Sequence, residues 1–334
     1  MEKWGKVANT KPIFVSGVYR SGTTYTASLI SSSPVIAGSS SSLKFLRFCL
    51  GRYGNLNSRK MRKILIEESA RRLKVRLNID TDVDKILQLS DLDENPSYAS
   101  MYDLLMRQIF IKNNKQTDWL EKIALCWSKI PDFLSMFPNG KVVHVIRDPR
   151  DVMASYKKHT FEIGYTYLDA AFNSNSSMTM ANNLIDERVF VVKSEDLYDL
   201  NSKKVEELFS FLDLPFDKKI INHDNMPTFG ENWESNSSYD HSIKDLPLGS
   251  LSRWESKLSD AEVLFTEMVT QPYLTHFGYK LSGIRPNKKL WMEVAKFFDD
   301  EFIRDRYAHF LKTGSGLEGY RSDPIEREMN IAFS

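Results

Sequence analysis

Among 334 residues only two are cysteine, Cys49 and Cys126. Two thiols build no disulfide framework, and their separation fits neither a zinc knuckle nor a redox motif, so a reducing, cytoplasmic setting is the expectation. An excess of one charge is also lacking. The 45 Lys and Arg face 44 Asp and Glu, and a net charge of +1 gives no global field for nucleic acid, so any anion site has to be built locally. No stretch reaches the roughly 18 apolar residues of a membrane span, and the N-terminal MEKWGKVANTKP has no apolar core of the signal-peptide kind. With no secretory signal, the Asn-x-Ser triplets at Asn175 and Asn236 read as chance. No internal repeat at solenoid spacing is visible. What is present is 42% hydrophobic and 12% aromatic residues, enough for the core of one large soluble domain or two unequal ones.

Three short apolar runs have strand character: IFVSG after Pro12, KVVHVI from Lys141 to Ile146, and RVFVVK from Arg188 to Lys193. Each leads into a segment of helical character. TTYTASLISSS follows the first, RDPRDVMASYKKH the second, with Asp148 and Pro149 suited to a cap and first turn, and SEDLYDLNSKKVEELFSFLDL the third. Strands alternating with helices predict an α/β fold with a central parallel sheet flanked by helices. About residues 43–118 read as a helical insertion over the mouth of the site, and 222–250 as a long surface loop. Two helices, Ser259 to His276 and Asn287 to Lys312, precede a polar tail, so the expected division is a main domain over 1–285 and a C-terminal helix and tail over 286–334.

GVYRSGTT, from Gly17 to Thr24, nearly spells a nucleotide-binding phosphate loop. Gly17 and Gly22 keep the spacing that lets backbone N–H groups and a helix N-terminus cradle an anion. The loop lysine is absent, however: Thr23 and Thr24 stand where Lys and Ser or Thr would be, and the cation is Arg20. Together with the lack of a clear magnesium-holding Asp after a strand, this argues against the kinase or NTPase alternative, and for a shorter anion held by hydroxyls, amides and Arg20 without a metal. In VIRDPRDVMASY, Arg147 ends a strand and Ser155 follows eight residues later in the next helix, so both converge on one further phosphate.

These two stretches together resemble the sulfotransferases that use 3′-phosphoadenosine 5′-phosphosulfate, in particular the bacterial and tyrosylprotein-type branch. EKIALCWSKIPDFLSMFPNGKVVHVIRDPRDVMASY, VVKSEDL with FLDLPFD, and LSRWESKLSDAE with HFGY are similar to further segments of that family. The resemblance implies a phosphate-loop core and transfer of a sulfuryl group to a hydroxyl or amine of a glycan or small molecule. It also implies roles. Arg20 would be the catalytic cation, Ser21, Gly22, Thr23 and Thr24 would bind the 5′-phosphosulfate, Tyr25 would stack on adenine, Arg147 and Ser155 would hold the 3′-phosphate, and Lys122 is a weaker candidate.

One group that the branch supplies is missing. A Glu follows the loop helix there as general base, whereas this chain has PVIAGSSSSL, with Ser39 to Ser42 at that place. Glu67, Glu68, His159 and His223 are conceivable substitutes, and a non-catalytic relative that has lost its base is the second alternative. Eight basic residues between Arg59 and Arg76 read as a solvated helix face, or else as a platform for an anionic acceptor. Aromatics in KKLWMEVAKFFDDEFIRDRYAHF read as core, with a homodimer surface as the alternative, and His144 reads as a strand residue with a local hydrogen bond.

Overall fold

The computed structural model describes residues 10–40, 43–159, 164–217, 219 and 251–317. Its centre is a five-stranded sheet of β1 (Ile13–Gly17), β2 (Ile36–Ser40), β3 (Asp118–Lys122), β4 (Lys141–Ile146) and β5 (Val189–Lys193), in the order β2-β3-β1-β4-β5 and parallel throughout. All five residues of β1 are buried, as expected of a parallel strand covered on both faces. The register sets Val15 beside both Lys122 and Val143, and Gly17 beside Val145. The C-terminal ends of three strands therefore share one edge. The chain leaves β1 toward β2 on one side and later adds β4 and β5 on the other, so the crevice at that edge lies where such sheets bind ligands.

Two strands were not legible. IAGSS and DWLEK are strands β2 and β3, where the sequence reads as a serine loop and as part of a helical stretch. Both are five residues long, and β3 buries its polar end: Glu121 is fully buried and Lys122 is 7% exposed. That combination hides the apolar pattern by which short strands are read.

Helices cover both faces. α1 (Thr23–Ser31) and α9 (Lys203–Phe211) pack on one face over Val15, Val143 and Val145. Between β2 and β3 run α2 (Phe45–Phe48), α3 (Arg59–Leu77), α4 (Val83–Ser90) and α5 (Tyr98–Phe110), and α6 (Ile130–Met136) precedes β4. They join α7 (Pro149–His159), α8 (Asp169–Asn183) and α11 (Asp260–His276) in a core built on Phe14, Trp119, Phe133 and Phe137. α10 (Trp254–Lys257) is a single turn. Ser259 and Glu262 form a reciprocal capping box at the start of α11, which is why that boundary was visible in sequence.

The expected helix from 287 to 312 is broken. α12 (Lys288–Ala295) and α13 (Glu301–Thr313) are separated by a turn in which Asp300 adopts an extended conformation, caps α13 through the Phe302 N–H at 3.0 Å, and accepts the Tyr165 N–H at 3.1 Å. α8 had no sequence signal at all. Its NSNSSMT stretch is buried as helix because hydroxyls bond back one turn, Ser176 Oγ to the Phe172 carbonyl at 3.0 Å and Thr179 Oγ1 to the Asn175 carbonyl at 2.8 Å. The solvated-face reading of α3 is corrected in part: Arg62 and Arg72 point inward, at 6% and 8% exposure, and Arg62 ties α3 to Ser90 and Asp91.

His144 lies in β4 with Nε2 2.9 Å from Ser177 Oγ, and burial pushes its imidazole down to about 4. Both cysteines are buried free thiols, and burial pushes Cys49 up to about 11. Among the described residues no helix is long and apolar enough to cross a membrane. The expected loop 222–250 and His223 lie outside the described residues.

Candidate active site

The loop from β1 to α1 is shaped by its neighbours. A Cβ on Gly17 would stand 2.5 Å from the Val145 carbonyl oxygen and 2.9 Å from Ser21 Oγ. Gly22 has a φ of 90° and would place a Cβ 2.8 Å from that of Ser194. Arg20 also takes a left-handed conformation, with φ 71°, an uncommon one for a non-glycine residue, so the turn is held by its surroundings. Ser21 closes it, its N–H and its hydroxyl both donating to the Val18 carbonyl, at 3.2 and 2.7 Å. α1 then starts without a side-chain cap and without an acidic residue in its first turn. Nothing within the helix offsets the positive end of its dipole, which faces the loop.

The second motif meets this loop directly. Arg147 Nη1 donates to the Arg20 carbonyl oxygen at 2.9 Å, and Arg20 Nε donates to Ser155 Oγ at 2.9 Å. Residues 127 and 135 apart in sequence thus interlock. Arg147 and Ser155 are each 7% exposed. Burial alone would lower the basicity of Arg147, but Tyr198, Asp151, Glu195 and Tyr279 outweigh it and keep the guanidinium charged. Two guanidinium groups and one hydroxyl therefore meet at this turn.

A set of residues to which the sequence reading gave no role braces the segment that carries Arg147. Glu195 Oε1 accepts the Asp148 N–H at 2.9 Å, and its Oε2 accepts the Tyr279 hydroxyl at 3.1 Å. Burial pushes the Glu195 carboxyl up, although the N–H bond and nearby Arg147 oppose it. Asp151 accepts the N–H groups of Ser252 and Trp254 at 3.0 and 3.1 Å. Arg150 is clasped by Asp148 at 2.6 Å and Glu267 at 2.8 Å, with its guanidinium 4.2 Å from the Trp254 ring centroid. The SEDL, SRW and FGY stretches are thus braces for RDPRD. Their type and order were visible, but their contacts have no spacing rule.

Other predicted residues fall differently. Thr23 is 3% exposed and Thr24 half-buried at the start of α1. Tyr25, at 4% exposure, packs its ring edge-on against Tyr198, 5.3 Å between centroids, and its hydroxyl donates to the Leu197 carbonyl. Lys122 sits at the end of β3 beside Val15. Ser39, 2% exposed, lies opposite Glu121 in the β2–β3 register. Glu121 is the buried carboxylate of this edge, accepting the Lys44 N–H at 2.7 Å and the Tyr102 hydroxyl at 2.5 Å. Glu67 pairs with Lys63 on the surface of α3, and Glu68 accepts the Tyr53 hydroxyl. Ser41, Ser42 and the His159 side chain lie outside the described residues.

Comparison with known proteins agrees with this architecture. Residues 12–218 match the family model described as "Sulfotransferase family". Carbohydrate sulfotransferase 1 of Danio rerio is 27% identical over 187 residues, 49% of this chain and 44% of that protein, and its Mus musculus counterpart is 25% identical over 167 residues, 43% of this chain and 40% of that protein. The alignment thus spans under half the length of these curated relatives. Among solved structures, the sulfotransferase domain from the Synechococcus PCC 7002 olefin synthase superposes with a TM-score of 0.52 at 19% identity, covering 84% of this chain and 100% of that one. The sulfotransferase domain from the curacin biosynthetic pathway gives 0.52 at 20% identity, covering 81% and 99%.

Proposed function

This chain belongs to the sulfotransferase family, and we propose that it moves a sulfuryl group from 3′-phosphoadenosine 5′-phosphosulfate to a hydroxyl or amine of its acceptor. The observation that carries the reading is the interlock of the two motifs through Arg20, Arg147 and Ser155. In this reading the loop N–H groups, Thr23, Thr24 and the dipole of α1 take the 5′-phosphosulfate, and Arg147 with Ser155 takes the 3′-phosphate. Arg20 lies between the two positions. Its side chain is held by Ser155, so it spreads positive charge over the transferring group and the leaving 5′-phosphate, which is where negative charge grows as the sulfur–oxygen bond breaks.

In-line sulfuryl transfer needs positioning and distributed positive charge more than a covalent intermediate, and the rigid bracing of Asp148, Arg150 and Asp151 supplies the positioning. As the acceptor's oxygen or nitrogen bonds to sulfur, the sulfur–oxygen bond to the 5′-phosphate breaks, 3′,5′-adenosine bisphosphate leaves, and the acceptor's proton passes to solvent. The likeness to carbohydrate sulfotransferases supports a glycan acceptor.

The test is calorimetry with 3′,5′-adenosine bisphosphate and, separately, ATP with magnesium, followed by transfer of label from the sulfuryl donor to glycans, phenols and amines. Binding of the bisphosphate with transfer of label is expected. Tight ATP binding with no response to the bisphosphate would defeat the reading.

A further inference from the structure

The carboxylates around RDPRD are not alike. Asp148 pairs with Arg150 at 2.6 Å, Glu267 with Arg150 at 2.8 Å, Asp151 with Arg147 at 3.8 Å and Asp196 with Lys193 at 3.9 Å. Glu195 is held by neutral donors instead: the Asp148 N–H at 2.9 Å, the Tyr279 hydroxyl at 3.1 Å and the Ser194 hydroxyl at 3.3 Å. Among the described residues no cation is in ion-pair contact with it. The donors fix its place, but its negative charge has to be carried in a partly buried position. Burial pushes the carboxyl up, and of the charges that act on it Arg147 favours the ionised form while Asp148 opposes it.

The groups that face Glu195 come from several elements. Arg147 and Asp148 stand before α7, and beyond them Arg150, Asp151 and Glu267 close on one another. Its own segment brings Lys193 and Asp196, and the chain after α11 brings Tyr279, whose ring centroid lies 5.6 Å from Lys193 Nζ. On the loop side, a Cβ on Gly22 would stand 2.8 Å from the Ser194 Cβ and 3.3 Å from the Tyr198 hydroxyl, so the segment of Glu195 lies against the phosphate loop.

The cation that helps to keep Glu195 ionised is thus the one assigned to the 3′-phosphate. A phosphate ester has its second ionisation near pH 6 and is close to a dianion at neutrality. When it engages Arg147, the guanidinium is occupied and up to two negative charges arrive in the same neighbourhood. Both changes favour the protonated carboxyl.

Resting on the sulfuryl-transfer reading, we infer that Glu195 is a proton-carrying positioning residue of the donor site, which takes a proton from solvent as the 3′-phosphate reaches Arg147 and returns it when the bisphosphate leaves. Protonation preserves the brace: Oε1 still accepts the Asp148 N–H, and a proton on Oε2 turns toward the Tyr279 oxygen, which can accept it. The nucleotide therefore binds more tightly when Glu195 is protonated, and its affinity falls as pH rises through a window that lies above the ordinary 4.5. The phosphate's own ionisation works in the opposite sense, because a dianion binds a guanidinium better than a monoanion does.

The test is calorimetry of 3′,5′-adenosine bisphosphate with the whole chain at several values from about pH 5 to pH 8, each in two buffers of different ionisation heat, so that the protons exchanged per nucleotide are counted. The wild type is expected to take up more protons than Glu195→Gln, whose neutral amide has none to gain. At pH 8 Glu195→Gln is expected to bind the bisphosphate up to about tenfold more tightly than the wild type, the effect of one pKa unit, and this advantage closes toward pH 5. A merely structural brace would instead be weakened by the substitution at every pH. Equal proton counts, or a folded variant weaker than the wild type throughout, overturn the inference. If circular dichroism shows Glu195→Gln unfolded, Tyr279→Phe decides: loss of a hydroxyl that favours the charged carboxylate is expected to move the pH of greatest proton uptake upward, and an unmoved maximum overturns the inference. A wild type that does not bind the bisphosphate defeats the sulfuryl-transfer reading and the inference with it, whereas binding with equal proton counts defeats the inference alone.

Discussion

The two cationic regions flanking the loop are built on different plans. Around RDPRD each arginine is matched by carboxylates, most of them from the segment itself: Arg150 by Asp148 and by the distant Glu267, Arg147 by Asp151 at 3.8 Å. Around Phe48 in α2, the cations Lys44, Arg47, Arg52 and Arg72 share a ring. A balanced network is rigid before its ligand arrives, which suits a donor that is always the same molecule. A cluster gathered on a ring is organised by an aromatic face, which attracts cations without the fixed directions of paired hydrogen bonds.

That contrast can be broken at the loop first. Arg20→Ala is expected to lower kcat by at least about 10²–10³-fold with little change in bisphosphate affinity, since it removes charge stabilisation of the transferring group. An equal loss of affinity would erase the division between the two roles of the loop and the second motif. Arg150→Ala should destabilise the fold by about 3–5 kcal/mol in denaturant titrations, because it leaves Asp148 and Glu267 buried without their cation. A surface-like loss under about 1 kcal/mol would mean that the bracing is not tight.

Arg147→Ala should weaken bisphosphate binding by about 2–4 kcal/mol through loss of a buried charge-assisted contact, and a neutral result would remove the site. The smallest effect is the pH response of His144. Its folded value of about 4 lies below the ordinary 6.5, so the native state binds fewer protons than the unfolded one between these values. Its contribution to stability is complete above about pH 6.5 and declines as pH falls toward 4, by at most about 1.4 kcal/mol per unit. The stability advantage of the wild type over His144→Gln should therefore shrink across that window, whereas a constant difference would show that burial does not hold the imidazole neutral.

The side that carries the two motifs was legible because they are short contiguous strings. Gly17, Arg20, Gly22, Arg147 and Ser155 could be named from spacing and resemblance, and KVVHVI is β4 to the residue. The side of β1 that carries β2 and β3 was not. β2 and β3 carry serines and a buried Glu-Lys pair where a strand ordinarily shows alternation or a continuous apolar run, and the Phe48 cluster joins residues from 44 to 72 that no motif relates. Tyr25 shows the same limit from the other direction: its position in a motif suggests a ligand contact, and nothing in the string announces its packing against Tyr198. The basic run of α3 split likewise, since inward and outward arginines look alike in sequence.

One join in the fold separates inheritance from folding. The family match stops at residue 218, yet α13 carries Arg306 to within 3.4 Å of Asp169 in α8, a carboxyl that burial pushes up to about 7. Beyond it the chain lies on α8 closely enough that Asn175 donates to the Gly314 carbonyl and a Cβ on Gly316 would touch the Phe172 backbone. A fragment trimmed to the matching region would leave Asp169 sealed without its counterion and strip the cover from Phe172. The cooperative unit is therefore larger than the region that the family model matches, and the tail is a part the core cannot shed without repacking the helix beneath it.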